Sequence, residues 1–146
     1  MKDSVQTASA PRPVGNYPHA RRVGNLLFLS GIGPRDAASN AIVGNVHGAD
    51  GHLIGYDIQS QARAVLANVR AVLQASGADL GDLVDVTVYL TNMAEDFAAY
   101  NAIWAEAFPD PALAPCRTTV GISALPTPIA IELKCIAVLG HAATAE

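Results

Sequence analysis

Between Asp57 and Gly77 the residues Ile58, Ala62, Val65, Leu66, Val69, Val72 and Leu73 recur at helical spacing; shortly afterwards the period changes to two, with Val84, Val86, Val88 and Leu90 alternating with Asp85, Thr87, Tyr89 and Thr91. A helix with one apolar stripe next to a strand with one apolar face buries both only by laying helix on sheet. Asp57 is placed to cap the helix N-terminus, and Gly77 to end it.

The flanking segments extend this α+β pattern. His19–Val23 and Leu26–Gly31 read as strands joined at Gly24-Asn25, a hairpin. From Gly31 to Gly55 the chain is rich in Gly, Asn, Asp and Ala without a sustained period, and it reads as a long loop in which Ala41–Val46 extends briefly. Asn92 with Glu95 resembles a capping box opening a second helix, whose Phe97, Tyr100, Trp104 and Phe108 keep helical spacing up to Pro109. Cys116–Ser123 and Ile129–Leu139 read as strands separated by Ala124–Pro128. The predicted order is ββαβαββ: one domain over residues 1–146 with tails at 1–12 and 140–146, and a mixed sheet with two helices on one face. The other sheet face then needs a cover. A chain that is 51% hydrophobic and only 15% charged points to other subunits as that cover, and so to an oligomer.

The formal charge of −4 argues against a nucleic-acid partner, which needs a field of uncompensated Lys and Arg. No apolar run approaches a membrane span and the Met1–Ala10 start is polar, so a soluble, cytoplasmic protein is expected. Cys116 and Cys135 are expected as free thiols. His19, His47, His52 and His141 are scattered without HxxxH or HExxH spacing, so no metal is expected, and each reads as a surface residue.

Chemistry gathers near the end of the chain. Alternation along Cys116–Ser123 puts Arg117, Thr119, Gly121 and Ser123 on one face, read as the polar one, and Cys116, Val120 and Ile122 on the other. In the last strand Glu132 and Lys134 face away from Ile131, Leu133 and Cys135. If the two strands pair, Arg117 and Glu132 share a polar face. Arg117 would then grip a carboxylate with its two-donor fork while Glu132 handles protons of a water. A plain cross-strand ion pair satisfies the same pattern.

The run Pro-Cys-Arg117-Thr-Thr-Val-Gly-Ile-Ser-Ala-Leu-Pro126 followed by Ile131-Glu132-Leu-Lys-Cys-Ile-Ala-Val138 resembles the C-terminal signature of the reactive intermediate deaminase (Rid, or YjgF-type) family. Four more pieces fall in the family's order: Val14-Gly15-Asn16-Tyr17-Pro18, Leu27-Phe28-Leu29-Ser30-Gly31, Asp85–Thr91, and Asn101-Ala-Ile-Trp104 leading to Phe108. The resemblance implies a chorismate-mutase-like fold and a homotrimer with active sites in the clefts between subunits. It also implies hydrolysis of enamines or imines to a ketone plus ammonia without a cofactor. Carried over position by position, Arg117 binds the substrate carboxylate and Glu132 orients or activates the water, while Tyr17, Ser30, Gly31 and Asn101 line the pocket. Thr119 stands where many members of the general deaminase group carry a cysteine. Cys116, on the opposite strand face, is no replacement.

The long Gly31–Gly55 segment, Asp79-Leu-Gly-Asp-Leu-Val and Gln61-Ala-Arg63-Ala-Val resemble the 2-aminomuconate deaminase branch. That branch implies conversion of 2-aminomuconate to 4-oxalocrotonate in the bacterial degradation of aromatic compounds. Such a substrate has two carboxylates, and Arg35 is the candidate for the second. Two alternatives stand beside it: a general 2-iminopropionate or 2-aminoacrylate deaminase, and a trimer that binds small carboxylates without turning them over. Plainer roles also fit several candidates: packing for Tyr17 beside Pro18, core or interface for Trp104, a bond to a neighbouring loop for Asn101, and a solvated loop charge for Arg35.

Overall fold

The computed structural model describes residues 3–140. Its elements are β1 (Ser4–Val5), β2 (Ala20–Val23), β3 (Leu26–Leu29), β4 (Asn45–His47), β5 (Leu53–Tyr56), α1 (Ile58–Ala75), β6 (Leu83–Leu90), α2 (Met93–Ala107), β7 (Cys116–Gly121) and β8 (Ile131–Val138), with a 3-10 turn at Leu80–Asp82. Both helix starts are capped as the sequence predicts: the Asp57 carboxylate accepts from the Ser60 N–H, and the Asn92 side chain from the Glu95 N–H at 3.3 Å. Past Ser76 the chain leaves α1 through Gly77 at φ +82°, a left-handed conformation suited to glycine.

Six strands form one mixed sheet in the order β1-β2-β3-β8-β6-β7. All neighbours are antiparallel except β6 and β7, which run parallel around the α2 crossover. Both helices cover one face. There Val65, Val69, Val72 and Leu73 of α1 and Tyr100 and Ile103 of α2 pack with Leu27, Leu29, Val86, Val88, Leu90, Ile131, Leu133 and Cys135 of the sheet in one core. On the opposite face Phe28, Tyr89, Val120, Ile136 and Val138 stay half-buried and no helix covers them among the described residues.

Several expectations are corrected. The segment 31–55 is not a plain loop, because β4 and β5 pair inside it as a separate two-stranded ribbon. Its side chains leave no alternating signal, since Val46, Leu53 and Ile54 are all exposed. Val84 does not face the core either: a register shift between Leu83 and Asp85 turns Leu83 inward and leaves Val84 exposed. The opening segment expected as a tail is tied down from residue 4 onward, with Ser4–Val5 paired to Ala20–Arg21 and Ala10 buried. Of the tail expected at 140–146, all but Gly140 lies outside the described residues. Finally, β7 and β8 do not pair, because β6 lies between them.

Candidate active site

On β8, Leu133 and Cys135 enter the core, so alternation sends Glu132 and Lys134 to the open face. Glu132 forms part of a groove of about 140 Å³ that Tyr17, Gly31, Arg35 and Ile129 also line. Ser30 borders the adjoining hollow, which shares Tyr17, Gly31 and Arg35. Ser30 is held there by two bonds, its hydroxyl to the Pro18 carbonyl at 2.7 Å and its N–H to the His19 carbonyl at 2.9 Å. Gly31 is needed for space, since a β-carbon at that residue would lie 2.5 Å from a Glu132 carboxylate oxygen. Burial alone pushes the Glu132 carboxyl above its usual range. No salt bridge among the described residues reaches it.

Arg117 sits elsewhere. In the ladder it is level with Val86, itself level with Cys135, and all three point to the helix-covered face. Arg117 therefore points toward the helices, not away from the apolar side as the alternation suggested. Three rings of α2 surround its guanidinium, with centroids 5.0 Å (Trp104), 5.3 Å (Tyr100) and 5.9 Å (Phe97) from Cζ. Asn101 Oδ1 accepts from the Arg117 Nη1 at 2.8 Å, which fixes the plane of the fork. Thr119, on the same face, bonds the Tyr100 hydroxyl at 3.1 Å.

The predicted residues thus form two groups: Tyr17, Ser30, Gly31, Arg35 and Glu132 on one side, and Arg117, Asn101 and Thr119 on the other. Glu132 is level with Tyr89 and Val120 on the open face, so Arg117 and Glu132 occupy opposite faces of the sheet within one chain. The shared face expected from pairing of their strands does not exist, and neither does the cross-strand ion pair. Trp104 packs against the core as expected and also carries Arg117 on its ring, and Asn101 orients that arginine instead of bonding a loop. Arg35 donates to the Arg12 carbonyl at 2.5 Å and to Asn40 while lining the groove.

Sequence reasoning missed Tyr100 as a site residue, because its helical spacing with Phe97 and Trp104 read as core. His19 is buried, not on the surface: its Nδ1 accepts from the Thr7 N–H at 3.3 Å, and its Nε2 donates to the Pro11 carbonyl at 2.8 Å. Cys116 is exposed and Cys135 buried, both as free thiols; burial pushes the latter up to about 12. Among the described residues, no three His, Cys, Asp or Glu side chains converge as metal ligands, and no helix is long and apolar enough to cross a membrane.

Chemically, one group offers a desolvated carboxyl able to take and return a proton, and the other a planar cation able to grip a carboxylate. The family model described as endoribonuclease L-PSP matches residues 7–139. A RutC family protein of Pyrococcus horikoshii is 39% identical over 137 residues, spanning 94% of this chain and 98% of the relative. A 2-iminobutanoate/2-iminopropanoate deaminase of Dermatophagoides farinae is 34% identical over 139 residues, 94% of this chain and 97% of the relative. Among solved structures, a putative endoribonuclease of Thermotoga maritima superposes with a TM-score of 0.79 at 35% identity, covering 96% of this chain and 99% of that one. With the fold, the signature residues and these likenesses in agreement, the chain belongs to the YjgF/Rid family, the group that includes proteins named as reactive intermediate deaminases.

Proposed function

We propose that the protein hydrolyses a small carboxylate-bearing enamine, through its imine tautomer, to a keto acid and ammonia. The observation that carries this reading is the Glu132 carboxyl, desolvated in a groove with no salt bridge among the described residues. Such a group is a stronger base when ionised and a ready proton donor when protonated. It takes a proton from water as the oxygen adds to the imine carbon. It passes that proton to the imine nitrogen, giving the carbinolamine, then takes the hydroxyl proton and passes it to nitrogen as the C–N bond breaks, so water and imine give carbonyl and ammonia in balance. Arg117 supplies placement through its two-donor fork.

We further propose that the working unit is a homotrimer in which Arg117 of one chain faces Glu132 of the next. Their positions on opposite sheet faces support this, because no single chain can bring both to one small substrate. The half-buried apolar side chains of the open face are the surface such an assembly would cover.

The D. farinae relative's name favours 2-imino acids derived from short amino acids as substrates. A dicarboxylate such as 2-aminomuconate is the second reading, favoured by Arg35 lining the same groove as Glu132. Ammonia release from 2-iminopropanoate and from 2-aminomuconate, each generated in situ, decides between them. Release from neither would leave a carboxylate-binding protein without turnover.

A further inference from the structure

Helix α1 buries two amides on its apolar face, Gln61 and Asn68, at 0% and 9% exposure. Seven residues apart, they lie two turns apart on one side of the helix, separated by about 10 Å along its axis. Buried amides are costly unless bonded, and neither of these serves a helix end.

Their partners are loop backbone and one side chain, Asn45 of β4. Gln61 Oε1 accepts from the Ala130 N–H at 2.9 Å, and its Nε2 donates to Asn45 Oδ1 at 2.8 Å. Asn45 in turn donates to the Pro128 carbonyl at 2.9 Å. Asn68 Nδ2 donates to both the Gly33 and the Arg35 carbonyls, at 2.8 and 2.7 Å. The backbone partners act in one sense only, so each amide has a single satisfied orientation.

These loops are the two walls of the Glu132 groove: Gly33 and Arg35 on one side, Pro126, Thr127 and Ile129 on the other. The walls touch, since a β-carbon on Gly33 would come within 2.8 Å of Ile129 Cδ1. Ala130, anchored by Gln61, lies two residues before Glu132.

We propose that Gln61 and Asn68 are positioning residues of the reaction, holding from beneath the two walls that desolvate Glu132 and set its place against the substrate. The assignment rests on reading the Glu132 groove as the reaction site. Neither amide touches substrate; Asn68 acts through backbone, and Gln61 through the Ala130 N–H and the Asn45 side chain.

The test uses the full chain with carboxyl-¹³C-labelled glutamate, the Glu132 signal being assigned by its loss in Glu132→Gln. Asn45→Ala cuts the relay to Pro128, and Asn68→Leu removes both carbonyl anchors while filling the space. In wild type the Glu132 titration midpoint lies above the ordinary carboxyl range; in both variants it moves back toward that range as water enters. Tyr17, Arg35, Tyr89 and Lys134, together with Arg21, Asp85 and Cys116 further along the open face, are unchanged in these proteins. Turnover of 2-iminopropanoate drops roughly tenfold or more, with kcat carrying the loss. Gln61→Glu, which keeps the acceptor for Ala130, loses less than Gln61→Leu. Folded Asn45→Ala and Asn68→Leu proteins with an unmoved midpoint and wild-type kcat/KM would overturn the proposal. If Asn68→Leu does not fold, the half-buried Asn45 decides alone. If wild type turns over no imine, the functional reading falls, and the titration still decides the positioning role.

Discussion

Gly31 and Glu132 are packed so closely that a β-carbon on residue 31 and the present place of the carboxyl exclude each other: it would stand 2.5 Å from one carboxylate oxygen and 2.9 Å from the carboxyl carbon. The end of a glutamate side chain can swing away, so Gly31→Ala costs catalysis before it costs stability. The expected outcome is a melting temperature near wild type with kcat reduced roughly 10²-fold, the scale of about 1 Å of misplacement. Calorimetry beside steady-state kinetics checks it; full activity would show that the Glu132 position is not critical.

Replacing the carboxyl itself separates chemistry from stability. Glu132→Gln keeps size but cannot take a proton, so kcat is expected to fall roughly 10²-fold or more while substrate still binds. The sign of the stability effect follows from linkage. Because burial raises the folded-state value, the folded protein holds this proton more tightly than the unfolded chain does. The contribution to stability is therefore full below the ordinary carboxyl value and is lost as pH rises through the raised one. Thermal melts of both proteins across that window test this: the melting temperature of Glu132→Gln relative to wild type should climb with pH and then level off.

Arg117 and Glu132 on opposite faces invite a mixing experiment. Arg117→Ala and Glu132→Gln are each expected to be nearly inactive alone. Unfolded together and reassembled at equal amounts, they should restore about a quarter of the sites if, as proposed, each site draws the two residues from different chains. If mixtures stay as inactive as the separate variants, the site is not shared in this way.

Away from the groove, Tyr56 at the end of β5 donates to the buried Asp96 of α2 at 2.5 Å. Burial first, and Asp96 second, push the phenol up to about 12, so it remains a donor at any working pH. Tyr56→Phe leaves a buried carboxylate short of a partner and should destabilise the fold by about 1–3 kcal/mol in urea titration. Turnover of the folded fraction should not change.

How much of this was legible in the sequence depended on whether a residue's role showed in its spacing. The repeat through Ile58–Leu73 and the caps at Asp57 and Asn92 are local, and they gave both helices. The ribbon at Asn45–Tyr56 was hidden because both its strands carry exposed apolar residues, so no alternation marks them. The face occupied by Arg117 depended on β6 separating β7 from β8, a long-range fact that neither strand encodes. The family resemblance singled out Glu132, Gly31 and Tyr17, which the fold brings to one groove, but their separation from Arg117 across the sheet could be seen only in the fold. Gln61 and Asn68 did leave a trace, as polar residues interrupting an otherwise apolar helix face.

The place of β8 in the sheet has a consequence for how the chain is made. It lies between β3 and β6, so the early hairpin and the later strands share no ladder until Ile131–Val138 is present. On the ribosome, everything up to residue 130 can emerge while the sheet remains in two pieces with unpaired edges and an uncovered core. Closing the sheet therefore requires the strand that carries Glu132: the same eight residues join the two pieces and bring that carboxyl to the open face. A nascent chain stalled before that strand holds neither a continuous sheet nor the carboxyl on which the proposed chemistry depends.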